Sequence, residues 1–260
     1  MLYGIDISHW QRDIGISSLC KADFVIVKAT GGISHVDSSC DRFVQYCIAH
    51  NIPWGFYHFQ NDDRKNRSAT EEAKFFYKNC KNYFGCGIPI LDYERYNTNA
   101  TSWIEEFCKC IHDWSGVWPI IYMNSDYINN KKVCANSWVK QKCGLWLAGY
   151  PKNYTNYPAN KNCPYRHNGW TLAIWQFTSS LSFAGKKLDG DIFYGDSSAW
   201  TMYAKGDIKP STTENKDTST DLSSAIDVMA HAVIAGKFGN GQQRKDNIYN
   251  IIQKRVNELV

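Results

Sequence analysis

Two acidic residues, separated by a single residue, close a short apolar run near the middle of the chain. The run opens with Pro89 and ends with Asp92 and Glu94. On a β-strand, side chains two residues apart share a face, and their Cα atoms lie about 6.5–7 Å apart. Two carboxyls at that separation fit a glycosidase, in which one protonates the leaving oxygen and the other faces the anomeric carbon. About one Asp-x-Glu triplet arises by chance in a chain of this length, so a solvated strand end is the competing interpretation of the spacing alone.

Composition restricts the class of protein. The chain has 260 residues, of which 43% are apolar and 15% aromatic, enough for one large domain and a small one. Its net charge of +4 suits an anionic surface without requiring nucleic acid, and we expect no nucleic-acid partner. No apolar run approaches the roughly 18–20 residues that span a bilayer, so we expect no membrane partner. Met1 leads directly into a predicted strand instead of a basic and apolar leader, which favours synthesis in the cytoplasm and export by another route.

Ten cysteines lie in the first two thirds of the chain. Without a leader they are interpreted as mostly buried, reduced thiols and not as a disulfide framework. No pair of Cys-x-x-Cys units and no Cys/His cluster has zinc spacing. The sequence therefore predicts neither a metal nor another cofactor.

Short apolar runs alternate with amphipathic stretches over the first 200 residues. Strands are predicted at 2–7, 24–29, 54–59, 87–92, 119–123, 145–148, 172–177 and 190–193. Helices are predicted at 38–50, 68–82, 101–114 and 125–142, and Ser68 followed by Glu71 is typical of a helix N-terminus. Eight strands that alternate first with helices, and then follow one another without full helices, predict an α/β fold of the irregular (β/α) barrel type.

Four acids occupy corresponding places in this scheme. Asp6, Asp92, Glu94 and Asp191 lie at or near the ends of the first, fourth and eighth predicted strands. The active sites of barrels gather at the carboxyl ends of the strands. The first and eighth strands are neighbours in a closed barrel, so we expect Asp6 and Asp191 to lie close together, with the fourth strand across the mouth.

The motifs at 3–11, 27–32, 55–59, 92–94, 121–122, 145–150 and 175–177 together resemble glycoside hydrolase family 25, the lysozymes common in phage lysins. The resemblance covers about residues 1–200. Thr30-Gly31-Gly32 departs from the acid and single glycine usual in the family. The late aspartate motif also departs, since it has two acids. We match Asp191 to the family's aspartate, and Asp189 is the alternative.

The resemblance implies a β/α barrel with five helices that hydrolyses the bond between N-acetylmuramic acid and N-acetylglucosamine in peptidoglycan, with retention. It implies that Glu94 is the general acid and that Asp92 stabilises the oxocarbenium-like centre, either as nucleophile or by steering the substrate's acetamido group. Asp6 and Asp191 would hold and tune this pair. The residues expected to bind substrate are Tyr57, Tyr122, Trp146, Trp175, Gln176, Lys28 and His58. Each aromatic residue alone also fits core packing.

The composition changes after the barrel, which is predicted to span 1–205. Residues 206–222 are polar and are interpreted as a linker, and 223–260 are predicted to form a small all-helical domain. Its motif at 234–245 resembles the cell-wall-binding repeat of family 7. The expected wall-binding residues are Arg244, Gly239 and Asn240, with a helix cap as the alternative for Arg244. An apolar stripe of Ile226, Met229 and Val233 predicts self-association into a homo-oligomer.

The sequence therefore predicts an endolysin-type muramidase that acts on bacterial peptidoglycan at the cell wall after release from the cell. A non-catalytic wall-binding module would keep the aromatic residues and lose one of the two carboxylates, yet both are present. A metal-dependent deacetylase would need an Asp and two His in a tight motif, whereas the seven histidines are scattered along the chain.

Overall fold

A closed barrel of eight strands forms the part of the chain that the structure describes. The structure is a computed structural model, and it describes residues 1–206. The barrel strands are β1 (Leu2–Ile7), β2 (Phe24–Gly31), β4 (Trp54–Phe59), β5 (Ile88–Asp92), β6 (Ile120–Asn124), β7 (Leu145–Ala148), β8 (Leu172–Phe183) and β9 (Lys186–Phe193). The order β1-β9-β8-β7-β6-β5-β4-β2 is closed by the pairing of β1 with β2, and the short β3 (His35–Val36) extends β2 as a hairpin. The predicted barrel and all eight of its strands are confirmed.

The longer helices lie where the apolar periodicity predicts them. They are α1 (Cys40–Ala49), α2 (Ala69–Cys80) and α3 (Ala100–Ser115). Ser68 caps α2 in both directions, because its hydroxyl accepts from the Glu71 amide while the Glu71 carboxylate accepts from the Ser68 amide. The capping box read from the sequence is therefore confirmed.

The single helix predicted at 125–142 is wrong. The segment forms two short helices, α4 (Ser125–Asn129) and α5 (Val139–Lys142). Between them Lys132 and Cys134 adopt φ angles of 53° and 57°. Two side-chain-bearing residues in this left-handed region interrupt the helical hydrogen bonds, and apolar periodicity does not register such a break.

Strand alternation fills the barrel interior and leaves one end open. Phe24, Ile90 and Ile174 point inward and are fully buried. The last described helix, α6 (Ser197–Lys205), was not predicted. Its Trp200 packs 4.7 Å from the Phe24 ring and donates to the carbonyl of Trp54 at the start of β4. Because α6 covers the amino-terminal ends of the strands, the carboxyl ends remain open for a site.

The last strand runs against the others. Ala184 and Gly185, with φ angles of 50° and 78°, form a two-residue hairpin between β8 and β9. β9 is therefore antiparallel to both of its neighbours, β8 and β1. The predicted adjacency of the first and last strands is confirmed, but the reversal means that the beginning of β9 lies at the barrel mouth. Asp6 pairs in register with Asp189, whereas Asp191 lies opposite Gly4.

The predictions for the end of the chain lie outside the described residues. They are the linker beyond Gly206, the repeat at 223–260, the wall-binding residues Arg244, Gly239 and Asn240, and the stripe of Ile226, Met229 and Val233. Among residues 1–206, no helix is both long enough and apolar enough to span a membrane.

Candidate active site

A cleft of roughly 410 Å³ opens at the carboxyl ends of the strands. It is lined by Asp6, Ser8, Trp10, Lys28, Tyr57, Phe59, Asp62, Asp92, Glu94, Arg95, Tyr122, Trp146, Tyr150, Gln176 and Asp189. Barrel enzymes place their chemistry at this end of the fold. The cleft is therefore the candidate active site.

Asp92 and Glu94 enter the cleft from the end of β5. The strand ends at Asp92, but the backbone stays extended, since the Tyr93 amide donates to the Tyr122 carbonyl at 3.0 Å. Tyr93 is fully buried and packs toward Trp103 outside the barrel. Side-chain alternation thus continues past the strand, and it turns Asp92 and Glu94 to the same side.

The surroundings of these two carboxyls favour their protonated forms. Asp92 is 7% exposed, and burial, together with the nearby Glu94 and Asp6 carboxylates, raises its pKa well above the usual range. The Glu94 side chain reaches solvent, but desolvation of its carboxyl in the cleft raises its pKa, opposed mainly by the Arg95 guanidinium. The two groups therefore retain a proton at a pH where solvated carboxyls would have released it.

Asp6 is held by a buried amide. Gln176 Nε2 donates to Asp6 Oδ2 at 2.8 Å, and the Tyr122 hydroxyl donates to Gln176 Oε1 at 2.9 Å. Burial raises the pKa of Asp6 to about 6, while the hydrogen bond from Gln176 acts in the opposite direction. Gln176 therefore connects the acid on β1 to the aromatic wall on β6.

The two acids of β9 occupy different places. Asp189 is partly buried and lines the cleft, where burial and the Asp6 charge raise its pKa to about 8. Asp191 is fully buried and does not line the cleft. It accepts from Trp146 Nε1 at 2.8 Å, and burial together with the nearby Asp6 carboxylate raises its pKa well above the usual range. The structure thus brings Asp191 beneath Asp6, and Asp189 into the cleft itself.

The sequence of the barrel domain matches a known family. Residues 5–186 match Glycosyl hydrolases family 25. The chain belongs to this family. Residues 227–260 match the CW_7 repeat.

Proteins with similar sequences or folds agree with this family assignment. The chain is 28% identical to Lysozyme M1 of Streptomyces globisporus over 73% of its length, and 25% identical to the lysozyme of Streptococcus phage Cp-7 over 97%. These matches span 65% and 68% of the two relatives, respectively. The muramidase of Trichobolus zukalii is similar in structure, with a TM-score of 0.63 and 25% identity, over 79% of this chain and 99% of that one.

Five of the seven predicted substrate-binding residues of this family 25 domain line the cleft. They are Tyr57, Tyr122, Trp146, Gln176 and Lys28. The structure does not bring the other two, Trp175 and His58, to the cleft. Each is adjacent in sequence to a residue that faces inward, so strand alternation turns it outward.

The two outward-facing residues are buried in the layer around the barrel. Trp175 is 1% exposed and donates to the Gly149 carbonyl. His58 is fully buried between Thr30 Oγ1 at 2.8 Å and Glu72 Oε2 at 2.9 Å. Both are therefore structural residues of the barrel wall.

Asp62, Arg95 and Phe59 line the cleft beside the predicted Lys28 and were not identified from the sequence. Lys28 forms an ion pair with Asp62 at 3.0 Å, and Lys28 and Arg95 both lie over the Phe59 ring, at 4.8 and 5.4 Å. Phe59 is two residues after Tyr57, so alternation would have identified it. Asp62 and Arg95 lie in loops that follow β4 and β5, and only their position after a strand end signals the site.

Proposed function

We propose that this chain is an endolysin-type muramidase. It hydrolyses the β-1,4 bond between N-acetylmuramic acid and N-acetylglucosamine in bacterial peptidoglycan, with retention at the anomeric carbon. The observation that carries the proposal is the pair of protonatable carboxyls, Asp92 and Glu94, in the cleft of a family 25 barrel. The similar proteins are named as lysozymes and a muramidase, which agrees with this substrate class.

Glu94 is the proposed general acid because it is the exposed member of the pair. Its side chain reaches the open cleft, where the leaving oxygen of a bound sugar lies, while Asp92 is buried at the strand end. When positive charge develops at the anomeric carbon, it favours the ionised form of Asp92. The shared proton then resides on Glu94, from which it passes to the leaving oxygen.

The closeness of the two carboxyls supports retention. An inverting glycosidase separates its carboxyls by about 6.5–9.5 Å to hold a water molecule between them and the sugar. Asp92 and Glu94 lie two residues apart on one face of the same extended segment, which favours the shorter separation of a retaining enzyme. Asp92 then acts on the anomeric carbon directly or through the acetamido group of the substrate.

Asp6 is the acid proposed to stabilise the positive charge of the transition state, because its pKa of about 6 leaves it ionised at neutral pH. It faces the cleft, and the hydrogen bond from Gln176 fixes its orientation. Asp189, and not the buried Asp191, is the proposed β9 carboxyl that contacts sugar. Asp191 acts through Asp6, because it is buried beneath it, held by Trp146, and close enough for each acid to influence the pKa of the other.

The C-terminal repeat is the proposed targeting element. Residues 227–260 match the CW_7 repeat, and Arg244, Gly239 and Asn240 are the proposed wall contacts. A single short repeat offers little buried area and binds weakly, so a homo-oligomer would add wall contacts through avidity. The site of action would be the bacterial cell wall.

Analysis of the new reducing ends tests the proposed reaction. Purified peptidoglycan is digested with the full chain, reduced with borohydride, hydrolysed and examined by mass spectrometry. Cleavage as proposed yields muramitol. Glucosaminitol would indicate the other glycosidic bond, and new free amino termini would indicate peptide or amide cleavage, so either result would overturn the proposal.

A further inference from the structure

We propose that His9, His35 and Asp37 form a binding site for a divalent transition metal such as Zn²⁺. One ring nitrogen from each histidine and one carboxylate oxygen of Asp37 lie within 4.8 Å of one another. His9 lies in the 3₁₀ turn after β1, while His35 and Asp37 belong to the β3 hairpin and the residue after it. The fold thus gathers three ligands, two histidines and one aspartate, that sequence spacing did not indicate.

The distances suit a metal of this class. Zinc binds histidine nitrogen at about 2.0–2.1 Å and carboxylate oxygen at about 2.0–2.2 Å. Two such ligands at the tetrahedral angle are therefore about 3.3–3.4 Å apart. His9 Nδ1 and Asp37 Oδ2 are hydrogen-bonded at 2.9 Å, so an ion would replace this hydrogen bond and separate the two atoms by a further few tenths of an ångström. Two histidines and one carboxylate also leave a coordination position for water.

The third ligand has a nitrogen with no partner. The Nε2 atom of His35 is buried and forms no hydrogen bond within the described residues. Buried polar atoms are nearly always paired, and an unpaired one calls for an explanation. Metal binding supplies one, because an ion, or water bound to it, gives His35 Nε2 a partner that the described residues do not provide.

The carboxylate is already held in place. The side chain of Asp37 is fully buried, its Oδ1 accepts from the Ser39 amide, and its Oδ2 accepts from the His9 amide, both at 2.9 Å. A metal ligand fixed by such surrounding bonds loses little freedom on binding. The His9 side chain is 25% exposed, which provides an entry path for the ion.

The site is separate from the catalytic acids. None of the three ligands lines the cleft, but His9 lies between Ser8 and Trp10, which do. The Trp10 ring is 74% exposed and lies 4.5 Å from the His9 ring. A metal at this cluster would tie the base of Trp10 to the β3 hairpin and brace one rim of the cleft. The role is structural, and it does not depend on the proposed muramidase activity.

Titration of the reduced full-length protein with Co²⁺ tests the site. The ten cysteines compete for metal, and Co²⁺ distinguishes them, because thiolate ligands add an intense near-ultraviolet charge-transfer band that nitrogen and oxygen ligands lack. We expect one equivalent of Co²⁺ to bind and to show visible d–d bands without the thiolate charge-transfer band. Zn²⁺ should displace the bound Co²⁺. Removing one of three ligands with His35→Ala should lower the affinity at least tenfold, since loss of outer-shell partners alone costs about 10–100-fold.

Two further variants make the result decisive. His50→Ala removes an exposed histidine outside the cluster and should leave Co²⁺ binding unchanged. His9→Ala should repeat the loss, and it replaces His35→Ala if that variant fails to fold. Asp37 is left intact because it also holds the Ser39 amide. Absence of binding, binding that persists in both ligand variants, or a band showing that thiolates hold the metal would each overturn the proposal.

Discussion

Replacing Gln176 by methionine should shift the pH dependence of activity. Gln176 is 3% exposed, and it donates at 2.8 Å to Asp6, whose pKa is about 6 with that bond in place. Methionine has a similar length and donates no hydrogen bond. The ionised form of Asp6 loses a donor in the variant, so its pKa must rise.

The size of the change follows from the bond. A hydrogen bond to a charged group is worth about 1.5–3 kcal/mol, and a change of one in pKa corresponds to about 1.4 kcal/mol. The pKa of Asp6 should therefore rise by roughly 1–2 from its value of about 6. Because the charged form is needed to stabilise the transition state, the acidic limb of the rate profile should move to higher pH by the same amount.

The same pKa change predicts how the stability of the folded state depends on pH. The pKa of folded Asp6 lies above its ordinary value, so folding favours the protonated form. The group disfavours the folded state increasingly as pH rises through the folded pKa. The variant should therefore lose more stability than the wild type between pH 6 and pH 9, when denaturant midpoints are compared at several pH values.

The assay is the initial rate of peptidoglycan solubilisation from pH 4 to pH 9, with circular dichroism to confirm folding. Gln60→Met is the matched control, because Gln60 is also buried beside the cleft, but its Oε1 accepts from the Arg95 amide, whereas Gln176 donates to an acid. The control should keep the wild-type profile. A Gln176→Met profile that is lowered uniformly, with its acidic limb unmoved, would refute this account of Asp6.

Four other predictions concern the rest of the chain. Glu72→Ala should lower the free energy of unfolding by about 3–5 kcal/mol, because it leaves His58 and the Asn61 amide unpaired in the core. A loss below about 1 kcal/mol, measured by urea denaturation, would contradict this. Titration of denatured, non-reduced protein should count most of the ten thiols as free, as the structure has them, and three or more disulfides would refute that expectation. Removing residues 206–260 should weaken wall binding and lysis of intact cells while leaving cleavage of soluble fragments largely unchanged. Light scattering tests the self-association, and a strict monomer with full wall affinity would argue against it.

Periodicity identified the barrel because its signal is local. Each buried parallel strand is a short apolar run, and the capping box at Ser68 marks a helix start independently of tertiary contacts. The same alternation, applied strictly, would have turned Trp175 and His58 away from the cleft. The sequence therefore already indicated that these two side chains face out of the barrel.

Other features depend on tertiary structure and leave no periodic signal. The two-residue hairpin at Ala184 and Gly185 reverses β9, and this reversal alone brings Asp189 to the mouth and Asp191 beneath Asp6. The short predicted strand at 190–193 has the same appearance in either strand direction. The proximity of His9 and His35, which are distant in the sequence, likewise arises only after β1 and β2 have paired.

The most direct test of the central claim is the rate of glycosidic cleavage by Glu94→Gln. The change keeps the shape of an exposed side chain and removes its proton, so folding and wall binding should persist. Release of reducing ends from peptidoglycan should fall by about 10²–10⁴-fold, the contribution of a general acid. Glu106→Gln, at an exposed acid on α3 outside the cleft, should retain full activity. A folded Glu94→Gln protein that releases reducing ends at nearly the wild-type rate would contradict the assignment of catalysis to this cleft pair.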